Sequence, residues 1–505
     1  SATGDCSVVG GGRQNQAVGP ESVVGGGEHN CACGGTVGVA TIAGGYYNKI
    51  LNTSGNSTIG GGSSNQICAC SSGGNGCATI GGGKLNCIVT AGTEGVIAGG
   101  KSNCVANANA SIGGGCANVA SGGCSRVGGG CGNTASGNCT TVGGGTTNAA
   151  SECSSTIAGG KSNTTSACYS TIAGGISNNI SGTDTCCSTI GGGSANTISG
   201  DTKKSAIVGG ENNSITGTSN HLNFIGGGSA HSITAGGAHG IVGGSGNAIT
   251  GGSVNFIGGG TSNCICGGTT TQATIAGGKQ NHIGGVGTPN FAFIGGGSLN
   301  CIEDKRGVIV GGVSNHTTNN WSTIVGGCTN KVQGDSAIVG AGRLNCITTS
   351  GACSGILGGV SNCINHADSF VIGSNLTSSA ACTTFVNSLN VSGSLTIPGF
   401  TNVSASLAAK AEGTILYENG TGTDSIKPIA NSNQAVGACS NVGGGELNCA
   451  CAPYSAILGG CSNLVNATAT QGAAIVAGKD NTASNCYNLI GTGFQNQTSG
   501  SYSIV

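Results

Sequence analysis

The amino-acid sequence predicts an all-β protein, a parallel β-solenoid with coils of about 15 residues and one small β insert. Three observations carry that prediction. The first is a register that returns along most of the chain, Ile/Val-x-Gly-Gly-x-x-Asn-x-Ile/Val/Ala. The second is that the segments between its turn signals are four to six residues rich in Ser, Thr, Val and Ile, which suits short strands and is too brief for helices. The third is composition. With 105 glycines but only five prolines in 505 residues, and no glycine at every third position, the chain is not collagen. Regularly placed Ile and Val argue against disorder.

Anchored on its Asn, the repeat runs through Asn103, Asn118, Asn133, Asn148, Asn163 and Asn178 at a constant spacing of 15, and stretches to as much as 21 elsewhere. His231 replaces the Asn once. One apolar position lies six residues before the Asn (Ile157, Ile172, Ile190) and another two after it (Ile180, Ile198), so two apolar walls face each other across a thin core. Between them fall the corners, Gly159-Gly160 on one side and Ser181-Gly182 on the other, where glycine supplies the positive φ of a tight turn. Each strand then pairs with its equivalent one coil along, about 4.8 Å away. Twenty-two coils precede an interruption and would form a rod on the order of 100 Å.

Stacking explains the polar content. A charge at a repeated position would sit on like charges, which accounts for only 7% charged residues. Two roles are open for the Asn: an amide ladder between coils or a corner residue in the left-handed conformation. Cysteine also recurs at equal positions in successive coils: Cys87 and Cys104, Cys116 and Cys131, Cys124 and Cys139, Cys153 and Cys168, Cys346 and Cys363. At 4.8 Å such pairs lie within disulfide range. The favoured reading is of thiols filling the narrow core, with some bridges. The Cys-x-Cys pairs lack zinc-finger spacing, so no metal and no cofactor is expected. The seven histidines are scattered and are expected at surface or corner positions. Glycine strings such as "VGGGRQN" lack the Gly-Lys-Ser/Thr of a phosphate loop, and no catalytic constellation appears. A net charge of -1 gives no reason for nucleic-acid binding, and no apolar run is long enough for membrane insertion. Longer coils carry their extra residues between the Ser-Gly corner and the next strand, so recognition is expected along that edge.

The register disappears between about 376 and 436, dividing the chain into a rod (1–375), a non-repeat β insert (376–436) and a second solenoid segment (437–505). Within the insert, alternation on both sides of Asn419-Gly420 predicts a hairpin, and "SASLAAKAEG" a short helical turn. The chain starts at Ser1 and stops at "SYSIV", a string that elsewhere begins a repeat, and is read as processed or as part of a longer one.

The Ser-Thr-Ile-Gly-Gly-Gly-x-x-Asn-x-Ile-Ser-Gly units resemble the YadA-like head repeats of trimeric autotransporter adhesins and related repeats in phage and large-virus fibre proteins. The segment Phe370–Val391, with Thr383-Thr384-Phe385-Val386-Asn387, is similar to the one that closes such heads. The resemblance covers about four fifths of the chain and implies a left-handed β-roll in a parallel homotrimer, which would supply the burial that two aliphatic side chains per coil do not. The triple glycines, the cysteines, the longer period and the lack of a coiled-coil stalk or membrane anchor depart from autotransporters and favour a virion fibre. The expectation is a non-enzymatic extracellular fibre, a viral tail or surface fibre whose partners are its own copies and a host glycan or protein receptor. The alternatives are a bacterial cell-surface trimeric adhesin and a filament subunit stacked head to tail.

Overall fold

The computed structural model is a parallel β-solenoid of about 26 turns. It describes residues 1–33, 39–51, 56–68, 77–89, 94–182, 184–217, 220–285, 288–303, 305–388, 417–428, 432–466 and 472–505, with no helix among them. The chain divides into two compact units, Ser1–Thr269 and Thr270–Val505, built from the same coil.

The coil beginning at Ser155 shows how fifteen residues close on themselves. Its first strand, Thr156–Ile157, turns Thr outward and Ile into the core. The second, Thr164–Thr165, repeats the alternation. Each pairs in parallel and in register with its neighbours, Ile157 on Ile172 and Thr165 on Ile180, so the register of the repeat becomes the register of the sheet. Strands of two residues suffice because the corners stack too, for example Lys161 on Ile176.

The core is two columns of aliphatic side chains. Ile157, Ile172 and Ile190 form one wall and Ile180 and Ile198 the other, all with no accessible surface. The second wall narrows where Ala135, Ala150 and Thr165 take the same position. Left-handed backbone occurs at the corners, but not at the Asn. Ser162 (φ 56°), one residue before Asn163, and Tyr169 (φ 55°), at the turn into the next coil, adopt it, and the corner-backbone role considered for the Asn therefore belongs to its predecessor. Gly160 has φ 92°, and a Cβ there would collide with the Gly175 carbonyl oxygen of the next coil and come within 2.6 Å of Asn163 Nδ2. Only glycine fits.

Coil stacking runs past the boundary expected at residue 375. The strand Thr384–Val386 pairs in parallel with Phe370–Ile372, and Asn387 closes the last turn by accepting the Ser374 N–H at 2.6 Å and donating to the Ser374 carbonyl at 3.0 Å. The hairpin is present as Tyr417–Asn419 against Ile426–Pro428, but its turn spans the residues from Gly420 to Ser425 rather than centring on Asn419-Gly420. Its second strand joins the next solenoid by parallel pairing of Ile426 with Asn441. The Asn register restarts at Asn433, whose Oδ1 accepts the Asn448 N–H at 2.9 Å, earlier than residue 437. The helical turn expected in "SASLAAKAEG" lies outside the described residues.

Candidate interaction surfaces

A surface available to a partner is what remains after the coil has used its own polar groups, and the Asn column uses nearly all of its own. Asn163 is fully buried. Its main-chain N–H donates to Asn148 Oδ1 at 2.9 Å, and its own Oδ1 accepts the Asn178 N–H at 2.9 Å. Its Nδ2 donates to the Gly159 carbonyl four residues back (3.0 Å) and to the Gly175 carbonyl one coil on (2.9 Å). The pattern recurs at Asn103, Asn118, Asn133, Asn148 and Asn178. The ladder thus joins amide to main chain in every one of these coils and amide to amide in several, as from Asn103 Nδ2 to Asn86 Oδ1 (3.2 Å) and from Asn345 Nδ2 to Asn330 Oδ1 (3.0 Å). It gives a donor to corner carbonyls such as that of Gly159.

A second buried polar column lies at the opposite corner, two residues before the first-wall Ile, and sequence reasoning missed it. Ser155, Ser170, Ser188, Ser205, Asn223, His239 and Asn255 occupy it, all buried. The Ser188 N–H donates to Ser170 Oγ (3.2 Å) and the His239 N–H to Asn223 Oδ1 (2.9 Å). His231 and His239 are therefore column members, not surface residues. Each accepts the next coil's N–H through Nδ1, Asn247 on His231 and Asn255 on His239, both at 3.1 Å. Burial depresses both imidazoles below their ordinary range, so the neutral ring that can accept is the favoured form.

The cysteines point the other way. None of the described ones is buried, which overturns the core-filling reading: those at the position after the Asn lie between two inward residues and must face outward. The stacked pairs are nonetheless real neighbours. Cys87 lies on Cys104, Cys346 on Cys363 and Cys116 on Cys131. Cys153 and Cys168 interact through their thiols, whereas Cys124 and Cys139 sit exposed at left-handed corner positions. A hydrogen bond from Cys87 lowers the Cys104 thiol below its ordinary range and raises Cys87. None of these ten forms a disulfide. The bridges join Cys31 to Cys33, Cys264 to Cys266 and Cys449 to Cys451, residues two apart in sequence with Cα atoms 5.5–5.9 Å apart.

Two shallow grooves stand out on the described surface. One runs beside His29 and Tyr47, whose rings stack at 4.6 Å, and is bordered by Gln14, Gln16 and Lys49. The other lies on the insertion edge between Glu152, Asp184 and Lys203. The inserted residues there stack as well, with Cys168 on Cys186, Cys186 on Lys203, and the strand Thr202–Lys203 on Asn220–His221. The chain matches no protein-family model, and no curated protein matches it in sequence.

Proposed function

We propose that the chain is a non-enzymatic extracellular fibre module, a viral tail or surface fibre that carries recognition surfaces along a rigid stack of coils. The observation that carries this reading is the division of labour within each coil. Residues that repeat are buried and spent on main-chain hydrogen bonds or core contacts, and residues that vary face outward. Such a molecule converts sequence length into distance and displays differences at its surface. The two grooves, one aromatic and cation-edged and one of mixed charge, suit a glycan or protein receptor.

Association with sister chains completes the reading. The outward residues of the first strand in successive coils include Phe293, Val308, Ile338 and Phe370, stacked in register apart from intervening Thr323 and Gly355. Ile338 is 40% and Phe370 44% exposed. An apolar row of this kind on a thin-cored solenoid suits a second and third copy of the same chain in a parallel homotrimer.

Negative-stain microscopy with mass measurement in solution tests the proposal. Discrete elongated trimers are expected. Monomers at micromolar concentration would overturn the homotrimer, and open-ended filaments would replace the fibre module with a self-assembling polymer.

A further inference from the structure

In the second unit one outward column breaks the rule that stacked positions stay neutral. The residue after the Asn is His282, then Cys301, then His316 in three successive coils, paired in register. Glu303, two residues beyond Cys301, lies on the same outward side of its strand. Their polar atoms converge: Cys301 Sγ is 3.5 Å from His282 Nδ1 and 4.0 Å from Glu303 Oε1, and Glu303 Oε1 is 3.3 Å from His316 Nε2. The donor atoms of Cys301, Glu303 and His316 all lie within 4.8 Å of one another.

We infer that His282, Cys301, Glu303 and His316 form a binding site for a zinc-type divalent transition-metal ion that clamps three successive coils together. A thiolate, two imidazoles and a carboxylate are the donor types zinc takes in a four-coordinate site, and with bonds of about 2.0–2.3 Å the edges of a zinc tetrahedron are about 3.3–3.8 Å. The separations set by the fold, 3.3, 3.5 and 4.0 Å, lie close to that spacing for three of the six edges. His282, outside the trio whose donor atoms all lie within 4.8 Å of one another, swings in from beside Cys301 to complete the shell. A soft thiolate with imidazoles selects against magnesium and calcium, which prefer all-oxygen shells.

Two further observations point to a ligand. His316 Nε2 is shielded from solvent and makes no hydrogen bond, although Glu303 lies beside it, so its donor or lone pair is left unused. The coil beneath Glu303 carries glycines where it would otherwise crowd the carboxylate: a Cβ on Gly285 would meet Glu303 Cγ at 2.9 Å. Lys331 follows His316 in the column, but its side chain is exposed and its ammonium can swing into solvent. On binding, the Cys301 thiol gives its proton to the buffer and ligates as thiolate.

Cobalt(II) titration of the chelator-treated full chain tests this, with zinc added afterwards as competitor. The expected result is a thiolate-to-cobalt absorption band that is abolished by Cys301→Ser, displaced by zinc, and unchanged by Cys346→Ser, which removes a thiol from the same column three coils beyond Cys301. His316→Ala and Glu303→Gln should weaken cobalt binding by roughly 10-fold or more, with circular dichroism unchanged because all these side chains face outward. Zinc should also slow amide hydrogen exchange in the coils from His282 to His316. A native difference spectrum identical to that of Cys301→Ser, or affinities unmoved by His316→Ala, would overturn the site.

Discussion

At one corner of nearly every coil sits an Asn that makes up to four hydrogen bonds, and at the other a Ser, Thr, Asn or His with one or two or with none, or an Ala such as Ala40 or Ala110. The two columns are equally buried, yet the first tolerates a single exception, His231, over residues 1–375 while the second changes repeatedly. The difference lies in what each side chain satisfies. Removing Asn163 would strand the Asn178 N–H and the Gly159 carbonyl, and would leave the Gly175 carbonyl with only the Lys161 N–H as donor. Ser155 Oγ donates once, to the Glu152 carbonyl at 2.7 Å, and Ser22, Ser57 and Ser125 make no side-chain hydrogen bond at all. How tightly a repeated position is held thus follows the number of buried main-chain groups that depend on it.

The comparison is broken most directly by Asn163→Ala. Two orphaned main-chain groups put the expected loss at about 2–6 kcal/mol, against about 1 kcal/mol or less for Ser155→Ala. Because a solenoid unfolds locally, the loss should appear as faster hydrogen exchange confined to the coils from Asn148 to Asn178, alongside a lower denaturation midpoint. Equal effects of the two substitutions would remove the distinction between the columns. Gly160→Ala comes next, at about 2–5 kcal/mol, since it combines a positive φ with a collision against the next coil's backbone. The same two measurements apply.

Acid sharpens the comparison where both columns carry a histidine. His231 and His239 must be neutral to accept through Nδ1, and burial holds both below the ordinary imidazole range. The unfolded chain therefore binds protons that the folded coil does not, and stability falls as pH drops through about 6.5 and below. His231 is the weaker member, because its Nε2 is buried without a hydrogen bond whereas His239 Nε2 lies 3.1 Å from the Gly236 carbonyl. Protection factors for amide exchange near Asn247 and Asn255, taken relative to the intrinsic rate at each pH, should fall between pH 7 and pH 5, and the double variant His231→Asn, His239→Asn should flatten that dependence. An unchanged profile in the variant would assign the acid sensitivity elsewhere.

The Asn column was legible in the sequence because residue type and spacing recur together, and the core walls because Ile and Val keep a fixed distance from it. The Ser column was not, since Ser is abundant throughout and the position also takes Asn, His and plain Ala, as at Ala40, Ala110, Ala273 and Ala337. The outward thiols were legible in principle: Cys87 stands between Asn86 and Ile88, and strand alternation forces it out once both neighbours are placed inside. The same alignment on the Asn puts His282, Cys301 and His316 in one column. What the sequence withheld was distance, because Glu303 reaches His316 only after two coils have stacked.

The smallest expected effect separates two glycines that look alike. Gly159→Ala should change stability by no more than about 0.5 kcal/mol, since a Cβ there meets nothing within 4 Å. The molecule has already varied this position. Ala341, Ala477 and Thr492 occupy it in other coils, and each still accepts its Asn amide, at 3.1, 3.3 and 3.2 Å. The position after it is glycine in those same coils, Gly342, Gly478 and Gly493, all at positive φ. If Gly159→Ala proved as damaging as Gly160→Ala, the corner would be limited by chain flexibility during folding rather than by the space and dihedral of the finished coil. Matched denaturation midpoints and refolding rates for the two variants decide between those causes.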